Sequence, residues 1–468
     1  MRDLLGVILS VALPWVAGTL WVRALWRGEP DQQGAPSVGY GYLVGAFATT
    51  LVLRLVDAAG QRWSLAWIAL PLLALAGAGW FAAGPHLSPR AAWRRFAGTL
   101  AGMPPPSRAI FWLFLALCAI NAVAIAAHVA WSLLLPYDVM AQWADKARVW
   151  YEYGRLLPFV RGSEWLSFAD PLQFSDMNPA YPGTVPLLQV WTALALGRWD
   201  ESLINAPWVA AFVALGFAFY GQARRLGAGP AKAMVGAYLL LSLPFLEIHV
   251  AVAGMVDIFI AIAYGLAAIS LWQWTLTRRW QDAALALVMA ILGAMVKNEG
   301  ILWALTLVPA IIVALRRRVG LALVAFIGSA VILYLLFGPP EVRLMGYVLR
   351  TRLENVTLPV YQHLFVMDNW HLFWYAAIAV IAVNGRLLLG ATLAPMTVTM
   401  LGAVGFVMVV FYFSSAAAGV DEESLLNRFL LQFVPALAFY LLLILRERER
   451  AGLGGEIAPA TAAAGPTA

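Results

Sequence analysis

Asp138 follows directly on an apolar run that ends at residue 135, in the stretch Leu-Pro-Tyr-Asp-Val-Met. A carboxylate at the top of a helix, at the mouth of a cavity, can take a proton from an acceptor hydroxyl or help to hold a divalent metal; it can also be a plain boundary acid. Gln142, Trp143, Asp145, Lys146, Arg148 and Trp150 come next, aromatic and charged types alternating over two turns. Lys146 and Arg148 suit phosphate oxygens, while Trp143 either stacks on a sugar or anchors at the lipid boundary, the commoner role of tryptophan there. Further on, Glu247, His249 and Asp257 bracket one connection between apolar runs, and Lys297, Asn298 and Glu299 interrupt the apolar run 283–315. Charge inside a span is costly and normally faces a cavity or a partner, so Lys297 and Glu299 either neutralise each other or meet a substrate. Arg343, Arg350 and Arg352, with His363 and His371 beyond, are donors suited to a phosphate or pyrophosphate. Arg428 opens the last apolar run after the acids of 421–423, where a helix N-terminus would add its positive dipole end to an anion site.

The elements that carry these residues belong in a bilayer. The chain has 468 residues, 62% of them hydrophobic and 12% charged, with a mean hydropathy of +0.78. A soluble domain carries about 25% charge, so a water-soluble globule is excluded. Apolar runs at 4–22, 38–57, 64–84, 109–133, 203–222, 231–250, 256–276, 283–299, 300–315, 320–338, 370–385, 394–414 and 428–445 predict an all-α polytopic protein with about 13 transmembrane helices. The formal charge of +6 mixes two sides of a membrane and implies no nucleic acid. Cys118, the single cysteine, excludes a disulfide framework and a cysteine zinc site.

Lys and Arg collect in alternate connections, from Arg23 and Arg27 to Arg446, Arg448 and Arg450, which predicts an outer N-terminus and an inner C-terminus. Most acids fall in the other connections. The largest of these, 136–200, is too long for a plain connector, and a second outer loop covers 339–369. Pro158, Pro171, Pro179, Pro182 and Pro186 punctuate the first loop. Its apolar stretch 185–196, about 12 residues, is too short to span and is expected to be an interfacial helix. Residues 447–468 form a tail whose Ala-, Gly- and Pro-rich end is expected to be disordered. The run 4–22 lacks the marks of a cleaved leader and is expected to stay as a helix. There is no internal repeat, which weighs against a transporter. There is also no Gly-rich phosphate loop, and the inner connections are too short for a nucleotide-sugar domain. A lipid-linked donor fits better, its polyprenyl chain between helices, its phosphate among Arg and Lys, its sugar toward the acid.

At these residues the chain resembles the GT-C-type integral membrane glycosyltransferases, in the bacterial branch related to protein O-mannosyltransferases and lipid A aminoarabinose transferases. The order is Asp138, then Asn178-Pro179-Ala180-Tyr181-Pro182 leading into Pro186-Leu187-Leu188, then Asp257, Lys297-Asn298-Glu299-Gly300, and Asn427-Arg428-Phe429-Leu430 with Gln432 and Pro435. It covers 109–446, leaving 1–108 as accessory helices. Relatives usually carry an Asp-Glu pair in the first loop; here Val139 follows Asp138, so a second carboxylate would have to come from elsewhere, with Asp145 and Asp257 as candidates. Asn178 stands where histidine is common.

The resemblance implies inverting transfer of a sugar from a polyprenyl-phosphate donor to a lipid, glycan or protein acceptor at the periplasmic face of the bacterial inner membrane, with Asp138 as general base. Lys146, Arg148, Arg343, Arg350, Arg352 and Arg428 would hold the donor phosphate, or a divalent ion (Mg or Mn) on Asp138 and Asp257 would do so. Tyr181, His249, Asp257, Lys297 and Glu299 would line the substrate. Two other readings stay open. An O-antigen polymerase or ligase would depend on Arg350 and His363, and a lipid-linked glycan flippase or carrier would show broken helices in paired halves with charges at mid-membrane.

Overall fold

The structure, a computed structural model, describes residues 1–27, 34–84, 89–134, 136–167, 172–344, 347–421 and 425–456. Most of them are helical. The strands among them form two small ladders, Phe159–Val160 parallel to Phe174–Ser175 and Glu341–Leu344 antiparallel to Tyr347–Arg350.

Each predicted apolar run is helical, but the runs are not equal. Among the described residues nine helices are long and apolar enough to cross a membrane, and the pair Pro230–Leu241 and Pro244–Ala251, bent by 65°, makes a tenth candidate. Pro244, which has no N–H to give, sits at the bend. Three predicted runs are shorter. Phe373–Val383 has 11 residues, about 16 Å of helix against a hydrocarbon core of about 30 Å. Trp280–Val296 stops at Lys297, whose backbone is extended (φ −155°, ψ 149°), and helix resumes as Glu299–Leu305 and Val308–Leu315. The break at Lys297 falls within two residues of the boundary expected between the runs 283–299 and 300–315.

The centre of the bundle is Asp257–Thr277, buried on all sides and packed against Trp280–Val296, Leu425–Glu456 and Ala206–Arg225. A helix apolar all round belongs inside, and only the two ends of this one are polar. At the end away from Asp257, Tyr40 bonds Ser270 at 2.8 Å and accepts from Gln222 at 3.0 Å. Arg225 there pairs with Asp282 at 3.5 Å and donates to Gln273.

The first two helices share this core. Arg2–Leu25 lies so close to Ala35–Ala58 that a Cβ on Gly45 would fall 1.7 Å from the Pro14 carbonyl oxygen. Trp191 donates to the Ser10 carbonyl at 2.8 Å. Trp191 belongs to Thr184–Leu196, the stretch expected at the interface. That helix is instead buried on nearly every side, between Arg2–Leu25 and Ala144–Tyr153. It has no polar face to give to water, and the long loop folds it inward.

Charges at the helix ends pair off by side. Arg198 bonds Asp3 at 3.1 Å and Asp200 at 2.6 Å, tying the N-terminus to the end of the long loop. Lys232 meets Glu449 at 3.1 Å at the other end of the bundle. The final helix runs through Glu456, so the first part of the expected tail is helical; residues 457–468 lie outside the described residues.

Candidate functional site

Four breaks in regular helix converge at one end of the bundle. Asp257 is the first residue of its helix, entered through Gly254 at φ +111°, a left-handed conformation that glycine adopts without strain. Lys297 occupies the break after Trp280–Val296, and Glu299 begins the next helix. Asp138 precedes a wide π-type turn, Val139–Trp143. Arg428 and Gln432 lie one turn apart near the start of the last helix, on the same face.

Together they form an alternating chain of charge. Lys297 Nζ is 3.6 Å from Glu299 Oε1 and 3.4 Å from Asp257 Oδ1. Arg428 Nε is 2.9 Å from Asp257 Oδ2, and its Nη1 is 2.7 Å from Asp138 Oδ2. The Asp257 side chain is wholly buried, Lys297 and Glu299 are 5% exposed, and Asp138, at 34%, is the outermost member. Three carboxylates and two cations leave one formal negative charge. Alternation is what makes it tolerable to remove the four inner members from water.

Neutral groups complete the shell. Gln432 donates to Asp257 Oδ1 at 2.5 Å and accepts from the indole of Trp303. The Tyr181 hydroxyl donates to Glu299 at 2.9 Å, while its ring stacks on Trp143 at 5.3 Å between centroids and lies 5.8 Å from Lys297 Nζ. Trp143 is buried in this stack, so it neither anchors at lipid nor meets solvent. His249 is buried within electrostatic reach of Asp257, Arg428 and Lys297, against the Phe245 ring at 4.6 Å, with no hydrogen-bond partner at either ring nitrogen.

Other expected site residues lie elsewhere. Lys146 is buried but points into the loop, 3.2 Å from Asp176 and 3.0 Å from the Asn178 carbonyl oxygen. Burial pushes its ammonium below the usual lysine range and the Asp176 carboxyl above the usual carboxylate range, each opposed by the charge of the other. Arg148 pairs on the surface with Glu152 and Glu201, and Arg350 with Glu341 and Glu354. Arg352 is exposed. The Arg343 side chain, Pro171 and residues 422–424 lie outside the described residues. Of the described basic residues expected to hold a phosphate, Arg428 is the one in this centre, beside Lys297. Basic type and sidedness select all of these residues, and only packing decides which one turns inward.

His363 bonds the Val420 carbonyl and Asn427, both at 2.9 Å, and so braces the entry to the last helix. His371 pairs with Asp368 on the surface. Glu247 turns away to accept from Asn121 at 2.5 Å. Gln432 and Trp303 emerge as members of the centre; the signal for Gln432 is its place one turn after Arg428.

A divalent metal does not fit between Asp138 and Asp257. The Arg428 guanidinium fills that space and uses an oxygen of each. Among the described residues no group of three His, Cys, Asp or Glu side chains could hold a metal ion.

No family model, curated protein or solved structure matches this chain. The site therefore has to be read from its own geometry.

Proposed function

We propose that this chain is a polyprenyl-phosphate-dependent glycosyltransferase of GT-C type in the bacterial inner membrane, acting at the periplasmic face. The observation that carries the reading is the charge chain itself. It runs from Asp257 inside the bundle to the partly exposed Asp138, under the long loop and at one end of the membrane helices. A donor that is apolar in one part and anionic in another needs such a junction.

In this reading Asp138 takes the proton of the acceptor hydroxyl as the oxygen attacks the anomeric carbon from the face opposite the phosphate. The bond from that carbon to the phosphate oxygen breaks, and the electron pair leaves with polyprenyl phosphate. The leaving phosphate is stable as an anion, so no general acid is required. Arg428 and Lys297 supply positive charge beside it. A donor phosphate that draws Arg428 Nη1 away from Asp138 leaves that carboxylate available as a base. The acceptor is a lipid, a glycan or a protein.

The test is turnover in proteoliposomes with radiolabelled polyprenyl-phosphate hexose, pentose and amino-sugar donors, scored as release of polyprenyl phosphate. Release that depends on Asp138 is expected; no release from any donor by the wild-type protein overturns the reading.

The carrier reading has one observation in its favour. One candidate span is bent by 65° at Pro244, as spans are around the sites of many transporters. Movement of a labelled lipid-linked glycan across the bilayer, with its glycosidic bond intact, would favour it.

A further inference from the structure

Between the helices of the N-terminal side of the bundle lie two apolar slots. One, of about 730 Å³, runs between Arg2–Leu25, Pro105–Trp131 and Ala206–Arg225; Val11, Trp15, Val129 and Val209 line it, and Arg23 is the one charged residue on its wall. The other, of about 570 Å³, lies on the far side of Val38 and Val213, which line both, and is walled by Phe96, Phe111, Leu115 and Tyr220. Phe96 belongs to the amphipathic helix Pro89–Ala101 and follows Arg95 in sequence.

Arg23 is half-buried, its Nε has no hydrogen-bond partner among the described residues, and among them the nearby charge that acts on it is another cation, Arg95. Among the described residues no carboxylate pairs with either guanidinium. Two like charges at the edge of an apolar medium are unfavourable unless an anion lies between them.

We infer that this is a binding site for one anionic diacyl phospholipid, its phosphate between Arg23 and Arg95 and one acyl chain in each slot. One polar end serving two slots matches a two-chain lipid and not a single-chain isoprenoid. Its polar end is away from the proposed transfer chemistry, and the far end of the first slot reaches Val7, Ser202 and Leu203 beside the long loop. Arg23 is in the last turn of the helix whose other end, at Asp3, is tied to Arg198 of the long loop.

The test uses the delipidated full-length protein in detergent, titrated with phosphatidylglycerol, phosphatidylcholine or inorganic phosphate, with bound lipid read by native mass spectrometry and stability by thermal unfolding. Phosphatidylglycerol should bind roughly tenfold more tightly than phosphatidylcholine, the preference expected of one to two basic residues at a membrane surface. It should also raise the unfolding temperature, and inorganic phosphate should do neither. Arg23→Gln with Arg95→Gln should remove the preference, and the corresponding Lys pair should retain it. Ala122→Trp, which fills the second slot, should weaken both lipids. Should the Gln pair fail to fold, Arg95→Gln alone, at an exposed position, should still reduce the preference. Equal affinity for the two lipids, a preference that survives loss of both charges, or equivalent stabilisation by inorganic phosphate would each overturn the site.

Discussion

Arg428 donates through Nε to Asp257 Oδ2 at 2.9 Å, although the two residues stand 171 positions apart in the chain. The same guanidinium reaches Asp138 at 2.7 Å. One arginine therefore joins the bundle core to the long loop, and it separates two kinds of carboxylate. Asp257 is wholly buried between Arg428 and Lys297, whereas Asp138 is partly exposed.

That difference gives opposite expectations for two variants. Asp138→Asn should unfold near the wild-type temperature but lose roughly 10²–10⁴ in transfer rate, the usual contribution of a positioned base. Arg428→Ala removes one of the two cations on the buried Asp257, leaving only Lys297, which it shares with Glu299, and should cost about 3 kcal/mol of stability. Thermal unfolding and sugar transfer measured on both variants check this; near-normal transfer by Asp138→Asn would remove it as the base.

Gly254 couples the entry of the central helix to the same loop. A Cβ there would fall 2.4 Å from Val139 Cγ1, at a φ of +111°. Gly254→Ala should cost about 1–3 kcal/mol and slow transfer, because Val139 adjoins Asp138. Adding Val139→Ala should recover part of the loss, by relieving the clash but not the backbone strain. No recovery in the double variant would show that contact with Val139 is not the cause.

Asp145, on the loop helix Ala144–Tyr153, has its pKa raised from 3.8 by burial and then by the charge of Asp176. The folded state therefore binds its proton at a higher pH than the unfolded chain does. Between 3.8 and the raised value this residue makes stability fall as pH rises, and at neutral pH its full cost is present. Asp145→Asn should accordingly unfold at a higher temperature than wild type at pH 7. The gap should close as pH falls through the raised pKa. Unfolding temperatures from pH 7 to pH 4 measure it, and a gap that widens on acidification would contradict the sign.

Sidedness can be tested with little disturbance, because Cys118 is the single cysteine. In a Cys118→Ser background, a cysteine at Trp165, which is 48% exposed, should react with an impermeant thiol reagent from the periplasm, and one at Arg317 should not. The reverse pattern would place the candidate site on the cytoplasmic face and exclude a periplasmic transferase.

Where helices form is decided locally. Each apolar run loses free energy by leaving water, residue by residue, so every predicted run from 4–22 to 428–445 is helical, and the charges at 257, 297 and 299 already mark positions where a span carries something other than lipid contact. Whether a run crosses is not local. Lys297, at the break after Trp280–Val296, has Asp257 and Glu299 within reach of its ammonium, and Thr184–Leu196 is buried among other helices. The choice among basic residues is of the same kind. Lys146, Arg148, Arg350 and Arg428 are equivalent in charge and predicted side, and nothing in their spacing separates them. Arg428 alone of these enters the centre, because the last helix turns that face toward Asp257 and Asp138, while Lys146 is held by Asp176, Arg148 by Glu152 and Arg350 by Glu341 and Glu354. Buried charges select partners through distance and desolvation, which depend on how distant segments pack.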